Sequence, residues 1–149
     1  MPRSGQVRAE SDREPRVQSA ALPWRRAPDG QVEVLLITSR ETRRWVIPKG
    51  WPIKRMSSAR TAAHEAFEEA GVRGRIAKNK LGVFHYDKRL RSGRVQRVKV
   101  LVYSLEVVSE GDAFPEFDQR EKLWTRPEAA ADLVQEAELA EMLRSFAPK

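Results

Sequence analysis

The sequence contains no cysteine, which removes disulfide frameworks, thiolate zinc sites and cysteine nucleophiles together. Histidine is almost as scarce. Only His64 and His85 occur in 149 residues, so a multi-histidine metal centre within one chain is excluded. No stretch approaches the ~20 consecutive apolar residues that cross a bilayer. The opening residues MPRSGQVRAESDREPR also lack the apolar centre of a secretory signal. These absences lead us to expect a soluble, cytoplasmic chain with no membrane partner. Hydrophobic residues at 40% are sufficient for a packed core, and the length suits one domain and is short for two.

Charge is plentiful and unevenly placed. Lysine and arginine number 28 against 21 acids, a net of +7. Basic residues recur from Arg13 to Arg60, and Lys88 to Lys99 holds six bases and no acid. From Glu116 to Glu141 the balance reverses to eight acids against three bases. A basic first two-thirds suits a polyanionic ligand, either a phosphorylated small molecule or RNA. Solubility alone would account for the total charge equally well.

Residues 1–15 are polar and aperiodic and read as a disordered tail, leaving 16–149 as a single domain. Val17–Trp24 reads as a strand ended by the turn Ala27-Pro28-Asp29-Gly30, and Val32–Ile37 as a second strand. Trp45-Val46-Ile47 is a short apolar run stopped by Pro48 before a loop containing Gly50. Ser57 or Ser58 can cap a helix reaching about Ala70, with Gly71 in the terminating position. Ile76–Tyr86 and Arg94–Val108 read as a hairpin about Arg91–Arg94, the second arm apolar enough to lie centrally in a sheet. Leu123–Thr125 is a last strand, and Pro127 opens a helical region to Phe146. The order β-β-α-β-β-β-α specifies an α/β domain with a mixed sheet and helices packed against it.

The segment Ser58–Val72, SARTAAHEAFEEAGV, carries the most chemical information. With Glu65 at zero on a helical wheel, Glu68 falls at about 300° and Glu69 at about 40°. Three carboxylates therefore share a ~100° arc, while Ala63, Ala66, Phe67 and Ala70 form an apolar stripe between about 100° and 200°. Such like-charge i,i+3 and i,i+4 pairs destabilise a helix, and within the segment only Arg73 is spaced to compensate. A divalent cation would turn this repulsion into ligation, and Mg²⁺, or Mn²⁺ in its place, suits an oxygen-only site. An ordinary solvated acidic face is the alternative.

The run from Gly50 to Val72, GWPIKRMSSARTAAHEAFEEAGV, resembles the Nudix box, G-x5-E-x7-R-E-U-x-E-E-x-G-U with U a bulky aliphatic. Gly50, Glu65, Glu68, Glu69, Gly71 and Val72 match in register over 23 residues. Met56 replaces the first Glu, His64 the Arg, and Ala66 the bulkier aliphatic. The family's Glu and Arg are expected to form a structural ion pair. Replacing both leaves no orphaned charge, so Met56 and His64 read as an alternative packing. The resemblance covers roughly Val17–Phe146 and implies a Nudix-like α/β/α sandwich with a mixed β-sheet.

The resemblance further implies metal-dependent hydrolysis of a diphosphate linked to a further group. Glu65 and Glu69 become the main metal ligands, Glu68 a further ligand or the base, and the Gly50 carbonyl an additional ligand. Catalytic roles thus fall on Glu68 and Glu69, with Glu121 as a secondary base candidate against an ordinary loop carboxylate. His64 borders the carboxylate side and reads as a packing residue rather than a ligand. RRWVIPKGWPIK and QREKLW are most similar to the branch acting on diphosphoinositol and diadenosine polyphosphates. Arg16, Arg43, Arg44, Lys49, Lys54 and Arg55 are the candidate phosphate-binding cations. Lys88, Arg89, Arg91 and Arg94 could add a rim, or serve as a charged hairpin tip. Trp24, Trp45 and Trp51 are candidates to stack a base, with a core role the alternative. Hydrolysis of RNA 5′ ends or nucleoside triphosphates, and a non-catalytic nucleotide- or RNA-binding module, stay open, as do monomer and homodimer.

Overall fold

The computed structural model describes residues 15–149, so the expected tail lies, but for Pro15, outside the described residues. Its strands are β1 (Arg16–Arg26), β2 (Val32–Thr38), β3 (Trp45–Val46), β4 (Lys49–Gly50), β5 (Val72–Ile76), β6 (Gly82–Arg89), β7 (Val95–Glu110) and β8 (Lys122–Thr125). The helices are α1 (Ser58–Ala70), α2 (Pro127–Leu133) and α3 (Ala137–Arg144). None of the described helices is long and apolar enough to cross a membrane.

All eight strands join one sheet with the spine β3-β2-β1-β7-β5. The β1–β7 pairing is parallel and the others antiparallel, so the sheet is mixed. Period-two alternation divides the core between two faces. Ala20, Leu22, Val34, Leu36, Phe84, Val98, Val100 and Val102 pack beneath α2 and α3, together with Ala130, Leu139 and Leu143. Ala21, Leu35, Ile37, Val46 and Leu105 pack on the other face against Ala62, Ala66 and Ala70 of α1. The α/β/α sandwich read from the sequence is this arrangement.

The second hairpin arm is central as expected, with β1 on one side of β7 and β6 and β5 on the other. The first arm differs. One strand over Ile76–Tyr86 is replaced by two, β5 on the far half of β7 and β6 on the near half. A 16-residue strand has room for two partners in succession, which apolar patterning does not reveal. The Gly50 loop also contains a short strand, β4, pairing with Ser19 and Ala20 of β1. The last helical region breaks into two at Val134, whose extended backbone bridges Trp45.

The helix α1 begins and ends where its capping chemistry places it. The Ser57 hydroxyl accepts from the Arg60 amide at 3.2 Å. Gly71 closes the helix at φ 72°, donating its amide to the Phe67 carbonyl at 2.9 Å. Its buried face is rotated toward the carboxylates relative to the expected stripe. Ala62, Ala66, Glu69 and Ala70 are buried, while Ala63 and Phe67 are only half-buried. Alanines approach a sheet closely, whereas Phe67 lies outside the close contact with Arg73 stacked 3.8 Å over its ring. Arg73 therefore does not compensate Glu69 as its spacing suggested.

Candidate active site

A cleft of about 850 Å³ opens where β4, α1, β6 and the segment before β8 meet. Lys49, Gly50 and Trp51 line it from β4, and Glu65 and Glu69 from α1. Tyr86, Lys88 and Arg89 contribute from β6, Arg40 and Arg44 from the loop before β3, and Glu116 and Arg120 from the segment before β8. That last segment is fastened along α1 and β2. The Glu116 amide donates to the Glu68 carbonyl at 3.0 Å, and Arg120 Nη1 to the Thr38 carbonyl at 3.1 Å.

Within the cleft the Glu65 and Glu69 carboxyl groups lie within hydrogen-bonding reach of each other. Burial pushes Glu69 up to about 8, against the pull of Arg120, and burial also raises Glu65. Burial disfavours the ionised form in both cases. Gly50 makes this placement feasible. A Cβ on it would stand 2.6 Å from Glu65 Oε2 and 2.7 Å from Oε1. The carboxylate lies against bare backbone that any other residue would cover.

This donor set fits a hard divalent cation. Two carboxylates, the Gly50 carbonyl and Glu116 are all oxygen donors, and a cation would offset the repulsion between the two neighbouring carboxylates. Among the described residues no three carboxylate or imidazole groups enclose a cation by themselves. Water or substrate oxygens would complete its shell, as Mg²⁺ ordinarily requires. Glu68 is set apart from the pair. It does not line the cleft, and its Oε2 lies 3.7 Å from His64 Nε2.

The cations divide similarly. Lys49 and Arg44 line the cleft, and burial lowers Lys49 to about 8 despite the attraction of Glu69 and Glu136. Arg44 is paired with Glu136 at 2.9 Å. Arg16 lies 5.4 Å over the Trp51 ring, at the margin of the cleft rather than in its lining. Arg43 turns away to Glu121, 3.1 Å distant, and to the Gln119 carbonyl. Lys54 and Arg55 are exposed outside the lining. Of the hairpin bases, Lys88 and Arg89 reach the cleft and Arg91 and Arg94 do not. Trp24 is a core residue, Trp45 packs against the same core, and Trp51 lines the cleft at 36% exposure.

Glu116, Arg120, Tyr86, Gln18 and Glu136 are the parts of the site that sequence reasoning missed. The QREK run drew attention to Glu121, yet Glu121 is exposed and spent on Arg43, while Arg120 and Glu116 face the cleft. Arg120 Nε donates to Glu116 Oε1 at 2.9 Å, an i,i+4 spacing that was legible but carried no sign of burial. The Tyr86 hydroxyl donates to Gln18 Oε1 at 2.8 Å, a contact between distant strands that no local pattern encodes.

Residues 15–146 match the NUDIX domain family. The sequence is 29% identical over 167 residues to Nudix hydrolase 13, mitochondrial, of Arabidopsis thaliana, spanning 97% of this chain and 82% of that protein. The crystal structure of the C. elegans Ap4A hydrolase is similar with a TM-score of 0.62 at 20% identity, covering 88% of this chain and 95% of that one. The NUDIX domain of Shewanella oneidensis NrtR, in complex with ADP ribose, is similar with a TM-score of 0.63 at 15% identity over 97% of each chain.

Proposed function

The chain belongs to the NUDIX domain family, as a hydrolase of phosphoric anhydrides, and on that premise we propose that residues 16–149 act as one metal-dependent pyrophosphohydrolase domain. Its substrate class in this reading is a phosphate-rich small molecule of the diadenosine polyphosphate or diphosphoinositol polyphosphate type. The observation that carries the reading is the Glu65 and Glu69 carboxyl groups beside Gly50 in a cleft ringed by Arg44, Lys49, Lys88 and Arg89. Two structural neighbours, one named an Ap4A hydrolase and one holding ADP ribose, support a substrate with linked phosphates.

In this reading Glu65, Glu69 and the Gly50 carbonyl hold Mg²⁺ or Mn²⁺, with Glu116 facing them. When bound, the cation neutralises the pyrophosphate and lowers the pKa of a water. Glu69 would ligate as its carboxylate, which Arg120 keeps oriented from 3.7 Å. Glu68, beside His64 on α1, is the further ligand or base in this reading. Arg44, Lys49, Lys88 and Arg89 bind the phosphates, and Trp51 offers a ring to the attached group. Met56 and His64 are compatible with turnover, because both members of the implied ion pair are replaced together. The cytoplasm is the compartment we assign.

Chromatography of the reaction products tests this directly, because hydrolysis of an internal anhydride yields two phosphorylated fragments rather than free phosphate. The panel comprises diadenosine polyphosphates, a diphosphoinositol polyphosphate, nucleoside triphosphates and 5′-triphosphorylated RNA, each with Mg²⁺, Mn²⁺ or chelator. Metal-dependent turnover of the first two, abolished in Glu69→Gln, is the expected result. Preference for the RNA would move the assignment to 5′-end processing, and binding without turnover would make this a non-catalytic module.

A further inference from the structure

The junction of α2 and α3 holds a carboxylate to which the reading above gives no role. Glu136, at the N-terminal boundary of α3, has a side chain only 9% exposed. Its Oε2 accepts from Arg44 Nη1 at 2.9 Å. Its Oε1 is buried and has no hydrogen-bond partner among the described residues. A buried carboxylate oxygen without a donor loses its hydration and regains nothing, so such an atom calls for an explanation.

Its surroundings supply one. Lys49 feels the negative charge of Glu136 from one direction and that of Glu69 from another. Its ammonium enters no salt bridge among the described residues and lies 5.0 Å over the Tyr86 ring. An under-satisfied anion and a cation without a salt bridge among the described residues thus act on each other at the cleft that Lys49 and Arg44 line. The backbone fixes Arg44 beside Glu136, because Trp45, next to Arg44, bridges Val134, two residues before Glu136, and Lys49 follows four residues after Trp45 in β4. Gln135, between Val134 and Glu136, lines the cleft.

We propose that Glu136 is the positioning residue of the cleft's cationic wall, a shared counter-ion that fixes Arg44 through Oε2 and receives the Lys49 ammonium at Oε1. This rests on the reading that the cleft binds linked phosphates. Two long cationic side chains lose rotamer freedom when they grip an anion, and a common buried anchor removes part of that loss beforehand. The anchor also draws Lys49 away from Glu69, leaving that carboxylate to its own partner.

Simple electrostatics and positioning predict opposite signs. Neutralising Glu136 adds one net positive charge to the wall, which alone would tighten the binding of an anion. If Glu136 positions Arg44 and Lys49, the same change weakens it. The probe is inorganic pyrophosphate with Mg²⁺, titrated calorimetrically into wild type, Glu136→Gln, Glu136→Asp, Arg44→Met, Lys49→Met and the pairings of each cation variant with Glu136→Gln. We expect Glu136→Gln to bind about tenfold more weakly, Glu136→Asp to recover part of the loss, and the effect to shrink when Arg44 or Lys49 is already removed. With diadenosine tetraphosphate the loss should fall on KM while kcat is held, whereas general damage to the fold would lower kcat. Equal or tighter binding by Glu136→Gln overturns the proposal, as does a loss undiminished in the Arg44 and Lys49 backgrounds. A wild type that does not bind pyrophosphate also overturns it. The hydrolysis panel judges the functional reading separately, since wild-type turnover with an indifferent Glu136→Gln sinks only this inference. Should Glu136→Gln not fold, Glu136→Asp decides between weaker and unchanged binding.

Discussion

The Arg120 guanidinium lies 3.7 Å from the Glu69 carboxylate, with each side chain 9% exposed. Arg120 also bonds Glu116 and the Thr38 carbonyl, so it ties the segment before β8 to α1 and the end of β2. Glu116, at 2.9 Å, is the charged partner of Arg120 where Glu69 keeps its proton, and removing Arg120 leaves that carboxylate unpaired in a weakly polar environment. Arg120→Met should therefore destabilise the protein by about 3 kcal/mol, measured by urea unfolding. Unchanged stability would mean that the cleft carboxylates lean on solvent rather than on Arg120.

Glu69 links stability to pH with a definite sign. Its folded pKa of about 8 exceeds its ordinary value of 4.5, so between these values the folded chain keeps a proton that the unfolded chain releases. Stability contributed by this proton is complete below pH ~4.5 and is lost as pH rises to about 8. Lys49 acts above that window. Its folded value of about 8 lies below 10.5, so stability recovers as pH rises from 8 toward 10.5. Thermal melts in chelator should fall toward pH 8, and Glu69→Gln should flatten the falling limb. The same variant should lose at least about a hundredfold in turnover, the several-kcal/mol scale of the charge stabilisation a metal supplies to the transition state. A Glu69→Gln melt that still falls steeply would place the proton elsewhere.

Legibility in the sequence followed the range of the contacts. The span of α1 was readable because Ser57 and Gly71 cap it locally, and β7 was recognised as central from its unbroken apolar middle. Gly50, Glu65 and Glu69 were found through fixed spacings within 23 residues. The remainder of the site depends on pairings between distant segments. Arg44 with Glu136 and Tyr86 with Gln18 join positions 92 and 68 residues apart. The orientation of α1 was off for a related reason. A helical wheel counts Glu69 as polar and therefore exposed, whereas Arg120, from 51 positions downstream, allows it to be buried.

Gly50 offers a substitution that separates chemistry from folding. An alanine there keeps the extended backbone of β4, yet its Cβ must displace the Glu65 carboxyl group. The displaced group is the end of a flexible side chain, so little folding energy is at stake. Gly50→Ala should melt within a few degrees of wild type, since about 1 kcal/mol moves a domain of this size by that amount. Its Mg²⁺-dependent hydrolysis of a diadenosine polyphosphate should nevertheless fall by at least about tenfold, the scale of one weakened charged contact. Retained turnover would exclude Glu65 from the metal site.

The cations flanking the box divide into two groups that kinetics can tell apart. Lys88 and Arg89 extend from β6 into the cleft lining, whereas Lys54 and Arg55 point into solvent outside it. Exposed charges contribute modestly one at a time and more when several converge on one polyanion. Replacing Lys88 and Arg89 together with alanine should raise KM for a diadenosine polyphosphate by about tenfold, or roughly 1.4 kcal/mol shared between two charges. The double variant should also respond less to added salt, because fewer screened contacts remain to be lost. Lys54→Ala and Arg55→Gly should keep KM within about twofold, as surface substitutions away from a binding face ordinarily do. Arg55 has a φ of 67°, so glycine there relieves the backbone rather than straining it. A rise in KM confined to Lys54 and Arg55 would transfer the phosphate-binding face from the β6 side of the cleft to the loop before α1.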